Sequence, residues 1–381
     1  MTLKEELEIL RGEPIEVYTG DPMGIPCVET SNQERLCKNP VVSVDMITYN
    51  HEPYIRQAIE GVMMQQTDFE FELVIGEDCS QDKTREICFE YQKKYPDKIR
   101  VLWWHENVSK LGGNGRRTCA HCRGEFLAMC EGDDYWTDPL KLQKQVNLLR
   151  RNPNAGLCFG AVEFYYEATG RRHRPTKGEL RSGVMSGRKF CEWLLLEQNP
   201  KGRNVLQTSG NMFRMSVVRE ARAKFEVFNW YAYDLTGWLG YAAISDVCFL
   251  PDIVSTYRIT GGGVTKRSFV KVITEGDCVA YYFVRAALGF TPEEALRWTA
   301  KRFVRMWVNK AAALPCGEQR KIVERINGHP LLRQIFHRPY GIFMLMAIRF
   351  GWLTPQIAFW LNRVYWYVPR LGRPWKVKPV P

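Results

Sequence analysis

Four short runs of β-branched and apolar residues lie between residues 41 and 130, and three of them end in a polar cluster before a helical pattern begins. Val41–Thr48 leads into Tyr49-Asn50-His51-Glu52-Pro53, and Phe71–Gly76 leads into Glu77-Asp78-Cys79-Ser80-Gln81-Asp82. Ile99–Trp103 is the third run. The fourth, Phe126–Cys130, leads into Glu131-Gly132-Asp133-Asp134-Tyr135-Trp136 and a helix beginning near Asp138-Pro139. Strands alternating with helices at this spacing predict an α/β fold, a mostly parallel sheet with helices on both faces. Ligands of such sheets bind beyond the carboxyl ends of the strands. The three polar clusters are therefore expected to meet in one crevice.

Three carboxylates within Glu131–Asp134 sit on a strand-to-loop hinge. Each must be solvated, paired or bound to a cation, because an unpaired buried charge is very costly. A divalent metal carrying a diphosphate meets that demand; so does a solvated turn leading into an N-capped helix. Tyr49 is placed to stack on a flat base, and Asp78 to accept a hydrogen bond from a base imide N–H. The plainer readings are a packed strand-end aromatic and an N-cap or turn residue. Gly112-Gly113-Asn114-Gly115-Arg116-Arg117 reads as a flexible loop entering a helix, a place for phosphate oxygens. Asn50, Glu52, Ser80 and Asn114 stand on these loops as further donor-side candidates.

At Val44–Asn50, Glu77–Thr84 and above all Glu131–Val146 (EGDDYWTDPLKLQKQV), the chain resembles family 2 glycosyltransferases of the GT-A, Rossmann-like fold, in particular bacterial enzymes that build surface polysaccharides. The resemblance covers residues 41–265. It implies inverting, hexosyl-type transfer from a nucleoside-diphosphate donor, most often a uridine diphosphate sugar, to a hydroxyl of a glycan or lipid-linked acceptor. It also implies that Tyr49 contacts the base and Asp78 hydrogen-bonds it. Asp133 and Asp134 would hold the donor through the ribose and through Mg²⁺ or Mn²⁺, with Asp134 ahead of Asp133 as the direct metal ligand. A dication suits this chemistry because the leaving diphosphate gains negative charge as the glycosidic bond breaks.

Inversion by a single displacement needs a base opposite the leaving group. The resemblance puts it in Tyr233-Asp234-Leu235-Thr236-Gly237-Trp238-Leu239, with Asp234 as catalytic base; the local sequence alone fits an N-cap equally well. Phe249–Arg258 is similar to the strand that follows the base helix, and Arg258 is expected to balance phosphate charge. Asn204–Arg214 (NVLQTSGNMFR) is similar to the strand before the acceptor site, so Gln207, Thr208 and Ser209 are expected to line a sugar pocket. Trp136 either walls that pocket or packs in the core. One position departs from the family: Thr260 stands where a metal-binding His is usual, ahead of Gly261-Gly262-Gly263. Thr260 is a poor metal ligand, which favours Mg²⁺ held by Asp134, the diphosphate and water, or an altered metal dependence. Two other readings remain. Sugar nucleotidyl transfer lacks its glycine-rich, Arg-Lys-containing loop, since Thr48-Tyr49-Asn50-His51 stands there. A non-catalytic nucleotide-sugar-binding scaffold at the membrane draws support only from Thr260.

The order along the chain predicts an N-terminal arm over 1–40, a catalytic domain over 41–265, bracing helices over 266–330 and a basic aromatic tail over 331–381. The arm opens on an amphipathic helix carrying Leu3, Leu7 and Leu10. Of the net charge of +11, residues 325–381 hold nine basic and no acidic side chains, whereas residues 1–40 hold four basic and eight acidic. The tail's apolar runs, Ile342–Ile348 and Ile357–Tyr367, are shorter than the ~20 residues that span a bilayer. Tryptophan and tyrosine beside arginine suit the headgroup layer of an anionic membrane, although a helical cap on the protein has the same composition. Scattered cysteines and a start without an apolar leader point to a reducing cytoplasm. The chain is thus expected on the inner face of the cell membrane, with no nucleic-acid partner, since the tail is too apolar for phosphate neutralisation alone.

Overall fold

The computed structural model describes residues 2–15, 26–111, 113–174, 183–196, 206–225, 233–260, 269–296, 299, 303, 307, 311–312, 314–336 and 345–346. Gly112, Gly261–Gly263 and, apart from 345–346, the tail beyond 336 lie outside them.

One sheet organises the chain. Its strands are β1 (Val28–Thr30), β2 (Val42–Thr48), β3 (Phe71–Glu77), β4 (Ile99–Trp103), β5 (Phe126–Met129), β6 (Tyr135–Trp136), β7 (Ala155–Tyr166), β8 (Arg171–His173), β9 (Gly183–Met185), β10 (Asn211–Arg214) and β11 (Asp246–Ile259). They lie in the order β1-β4-β3-β2-β5-β10-β7-β11-β6, with β8 paired to β7 and β9 to β11. The half containing β4, β3, β2 and β5 is parallel, so the carboxyl ends of all four strands emerge on one edge. These strands read as near-continuous apolar runs because both faces are covered. Beyond β5 the sheet is mixed, β10 running antiparallel between β5 and β7.

Helices α2 (Ile55–Met63), α3 (Thr84–Lys94) and α5 (Lys141–Arg151) cover one face, packing Ile59, Val62, Ile87, Leu142 and Val146 onto Val44, Met46, Leu73, Ile75 and Ala128. The opposite core joins Val74, Leu127, Phe159 and Phe213 to α6 (Gly187–Leu196), α7 (Met215–Lys224), α8 (Tyr233–Ala242) and α9 (Phe269–Ala286). The short α4 (Asn114–Ala120) packs on β2 and β3. At the amino end, α1 (Leu3–Arg11) buries Leu7 and Leu10 in the second core, and its Glu6 accepts hydrogen bonds from Tyr281 and Arg285 of α9. After α10 (Cys316–Gly328), the helix α11 (Pro330–Phe336) puts Leu331, Leu332 and Phe336 into the same core. The packed body therefore continues through Phe336, past the boundary at 330 read from the sequence.

Candidate active site

The ends of β2 and β3 are laced together by their own polar residues. Asn50 donates its N–H to the Ser80 hydroxyl (3.0 Å) and accepts the Gln81 N–H on its side chain (2.7 Å). Glu52 donates its N–H to Asp82 (3.0 Å) and accepts the Lys83 N–H (3.2 Å). Asn50 and Cys79 hold left-handed backbone conformations, φ +54° and +60°. Asn tolerates that region; for Cys79 it costs on the order of 1 kcal/mol and marks a turn held by its surroundings. Asn50, Glu52 and Ser80, expected to bind donor, thus spend these groups on shaping the loops. Tyr49 stands clear of them, 42% exposed.

Asp78 is only 1% exposed. Its carboxylate accepts the Val108 N–H (2.6 Å), the Ser109 N–H (3.2 Å) and the Ser109 hydroxyl, tying β3 to the 3₁₀ turn Val108–Leu111. Burial raises its carboxyl, and the Ser109 and Val108 donors oppose the shift. The Asp78 carboxylate, expected to meet a base imide, is here turned inward onto three donors that shape the loop. Asn114 is inward too, giving its side-chain N–H to the Gly76 carbonyl (2.6 Å). A Cβ at Gly76 would lie 2.0 Å from the Thr118 hydroxyl, so α4 sits this close only because residue 76 is glycine.

At the end of β5 the chain passes against β2, where a Cβ on Gly132 would fall 2.7 Å from the Thr48 hydroxyl and 2.9 Å from His51 Nδ1. The two aspartates that follow diverge. Asp134, 1% exposed, accepts the Ser209 hydroxyl (2.6 Å) on one oxygen and the Arg258 N–H (2.9 Å) on the other. Burial and the Asp133 charge raise its carboxyl well above the ordinary range, opposed by those two donors. Asp133 is half-buried, and among the described residues its carboxylate has no hydrogen-bond partner; Arg258 bonds its backbone carbonyl instead (2.9 Å). Asp134, expected first as the metal ligand, is thus already hydrogen-bonded on both oxygens and buried, and Asp133 is the more accessible of the two.

Arg258 is a strut. Its guanidinium also donates to Gln57 (2.7 Å) and lies 4.8, 5.1 and 5.8 Å from the ring centroids of Tyr54, Tyr135 and Tyr165. Trp136, 2% exposed, packs in the core and donates its indole N–H to the Ser209 carbonyl (2.8 Å), so it walls no pocket. Thr208 and Ser209 are buried and Gln207 is half-buried. Asp234, in the first turn of α8, is open to solvent, yet enough protein surrounds it that desolvation raises its carboxyl; Thr208, as a hydrogen-bond partner, opposes the shift. Burial raises the half-buried Glu131 well above its usual value, and Asp234, Asp133 and Asp134 add to that effect in that order. Tyr257 is raised by burial and by the same four carboxylates. Glu131, Asp133 and Asp134 after β5 and Asp234 at the start of α8 are thus near enough for their charges to act on Glu131 and Tyr257, and they make up the acidic cluster of the site.

Two members of this neighbourhood were given no role of their own from the sequence. His51 is lowered by burial, against the pull of Asp133 and Asp82. Its only sequence signal was its place in the β2 end cluster. Glu131 carried the same weight as the aspartates beside it.

Hard oxygen donors in an acidic cluster fit Mg²⁺ or Mn²⁺. Among the described residues no three His, Cys, Asp or Glu side chains converge as a ready cage. An outward carboxylate such as Asp133, completed by diphosphate oxygens and water, is the usual form of a Mg²⁺ site. Thr260 is half-buried at the end of β11.

Residues 43–219 match the family model described as Glycosyl transferase family 2. An uncharacterized protein of Mycobacterium tuberculosis is 33% identical over 224 residues, 58% of this chain and 60% of that protein. The putative glycosyltransferase EpsE of Bacillus subtilis is 26% identical over 203 residues, 53% of this chain and 69% of that one. The chain thus spans less than two thirds of the mycobacterial relative's length. Among solved structures, S. aureus TarS 1–349 in complex with UDP shares the fold with a TM-score of 0.55 at 16% identity, over 87% of this chain and 92% of that chain.

Proposed function

Since residues 43–219 belong to the family 2 glycosyltransferases and the chain has their GT-A fold, we propose that this glycosyltransferase moves a sugar, with inversion, from a UDP-sugar donor to a hydroxyl of a glycan or lipid-linked acceptor in surface polysaccharide assembly. The observation that carries the reading is the set of carboxylates that gathers around Glu131, with Asp133 half-buried and without a hydrogen-bond partner among the described residues and Asp234 open to solvent. The solved complexes of TarS with UDP and with UDP-GlcNAc are consistent with a uridine donor. The putative teichuronic acid biosynthesis glycosyltransferase TuaG of Bacillus subtilis, 32% identical over 110 residues, 29% of this chain and 42% of that one, is consistent with a surface-glycan role.

On this reading Tyr49 stacks on the base and Asp133 is the carboxylate that faces Mg²⁺ or Mn²⁺. Asp134 and Arg258 hold the hinge that aims Asp133. The dication, when bound, neutralises the charge that develops on the leaving diphosphate. Asp234 takes the proton from the acceptor hydroxyl as its oxygen bonds to the anomeric carbon and the bond to the diphosphate breaks. A raised carboxyl suits that task, because a base is most effective with a pKa near the working pH. Attachment of the basic tail to the anionic inner face of the membrane belongs to the same proposal; no described helix is long and apolar enough to cross a membrane.

The test is a hydrolysis screen of nucleotide sugars with the full chain, with Mn²⁺ and with excess chelator. Metal-dependent release of UDP from one donor is the expected result. Release of pyrophosphate from a nucleoside triphosphate and a sugar phosphate would mark a nucleotidyltransferase, and UDP binding without turnover a scaffold.

A further inference from the structure

The turn Thr208-Ser209-Gly210 lies between the two halves of the acidic cluster and touches both. Ser209 donates its hydroxyl to Asp134 (2.6 Å) and accepts the Glu131 N–H on the same oxygen (3.0 Å). Thr208 interacts with Asp234 as a hydrogen-bond partner. The far side of the turn is pinned. Its Ser209 carbonyl accepts the Trp136 indole N–H (2.8 Å), and its Gly210 carbonyl accepts the Gln145 side-chain N–H (2.9 Å). Gln145 in turn accepts from the Lys141 ammonium (2.7 Å), which lies 4.1 Å from the Trp136 ring centroid. Lys141, Gln145 and Ser209 are fully buried. A Cβ at Gly210 would meet Val162 at 2.7 Å and the Gly160 carbonyl at 2.8 Å, so the turn has no room to shift that way.

We propose that this turn is a positioning bracket that sets the separation of the donor-side hinge from the base. Ser209 acts through Asp134 and Glu131, and Thr208 acts through Asp234. Both hydroxyls are engaged by carboxyl groups of the site. The inference rests on the reading of Asp133 as the metal-facing carboxylate and Asp234 as the base. In-line displacement requires base and leaving group to stand on opposite sides of one carbon, and a misplacement of about 1 Å costs on the order of 10²-fold. A single rigid turn touching both groups supplies that constraint.

The experiment measures UDP affinity by calorimetry in Mn²⁺, and turnover of the UDP-sugar found in the screen, per calorimetric binding site. Counting sites removes any loss of folded protein from the comparison. Thr208→Val is expected to leave UDP affinity within about twofold and lower turnover about tenfold or more, and Thr208→Ser to restore it. Ser209→Ala is expected to weaken UDP about tenfold. Trp136→Phe, which keeps an aromatic side chain but loses the indole N–H and some buried volume, is expected to impair both. Variants in which Thr208→Val and Ser209→Ala move the two quantities together, or move neither, overturn the bracket while leaving the enzyme reading intact. A wild-type chain that binds no UDP and turns over no sugar nucleotide overturns the enzyme reading, and the bracket with it.

Discussion

Asp45 stands at the centre of β2, 2% exposed, and among the described residues neither of its carboxylate oxygens has a hydrogen-bond partner. It pairs with Met129 on β5, and by strand alternation it shares a face with Met129 and Glu131. Burial pushes its carboxyl up to about 8, against the pull of Arg222 on α7; Cys119, Cys122 and Glu131 are its other titratable neighbours. A carboxyl whose folded value lies above its unfolded value stabilises the protein fully at low pH. That contribution fades as pH rises, because the unfolded chain ionises near pH 4 and the folded one does not until about pH 8. The slope is about 1.4 kcal/mol per pH unit. Between pH 5 and pH 7 the wild type should lose roughly 3 kcal/mol relative to Asp45→Asn, which has the same shape and no charge to gain. Thermal melts of the two proteins at pH 5, 6, 7 and 8 test this. The variant should gain several degrees on the wild type across the series. A difference in Tm that does not change with pH would refute the reasoning, as would a variant that falls behind as pH rises.

Asp234→Asn should lower transfer at least a hundredfold while UDP affinity by calorimetry stays within about twofold; an active variant would remove Asp234 as the base. Asp133→Asn should abolish the Mn²⁺ enhancement of UDP binding at unchanged Tm. Asp134→Asn should lower Tm, since it sets an amide N–H against the Ser209 or Arg258 donor at about 1–3 kcal/mol; the reverse pattern would restore Asp134 as the metal ligand. The raised carboxyl of Asp234 should put the acid limb of the pH–rate profile above the ordinary aspartate value near 4, activity rising with pH as the base ionises. A chain ending at Phe336 keeps the packed core of α11 and should float less with anionic vesicles than the full chain does; equal flotation would dissociate the tail from membrane binding.

The parallel half of the sheet was legible almost to the residue, because strands covered on both faces are mostly apolar and are bounded by the polar clusters at their ends. What each polar residue does there was far less legible. Asp78 looks like an edge residue until Val108 and Ser109, thirty residues on, supply its donors. Asp133 and Asp134 are equivalent in sequence. Which one turns inward is decided by Ser209 and Arg258, 75 and 124 residues away from Asp134. Trp136 suited a pocket wall and a core equally, and the Ser209 carbonyl makes it core. Asp45 carried a visible signal, one acid inside a β-branched run, but a lone strand residue does not reveal what faces it.

Thr260 in place of a histidine suggested either Mg²⁺ held without it or an altered metal dependence, and the charges in the crevice bear on that choice. Burial first, and the charges of the neighbouring carboxylates after it, raise Glu131 and Tyr257 together. The guanidinium of Arg258 is engaged by Asp133, Gln57 and three tyrosine rings, so much of its charge is directed at the hinge and not at the opening. A diphosphate approaching such a cluster is repelled in proportion to how many of these raised carboxyls are ionised. On the proposed reading the donor can enter only with a dication that compensates both charges, and a histidine ligand is not needed to create that requirement. UDP binding should therefore be at least tenfold weaker in excess chelator than in Mn²⁺, and it should fall further as pH rises and more of the cluster ionises. Equal affinity with and without metal would mean that the carboxylates are neutralised by protonation, and that the cluster serves the fold.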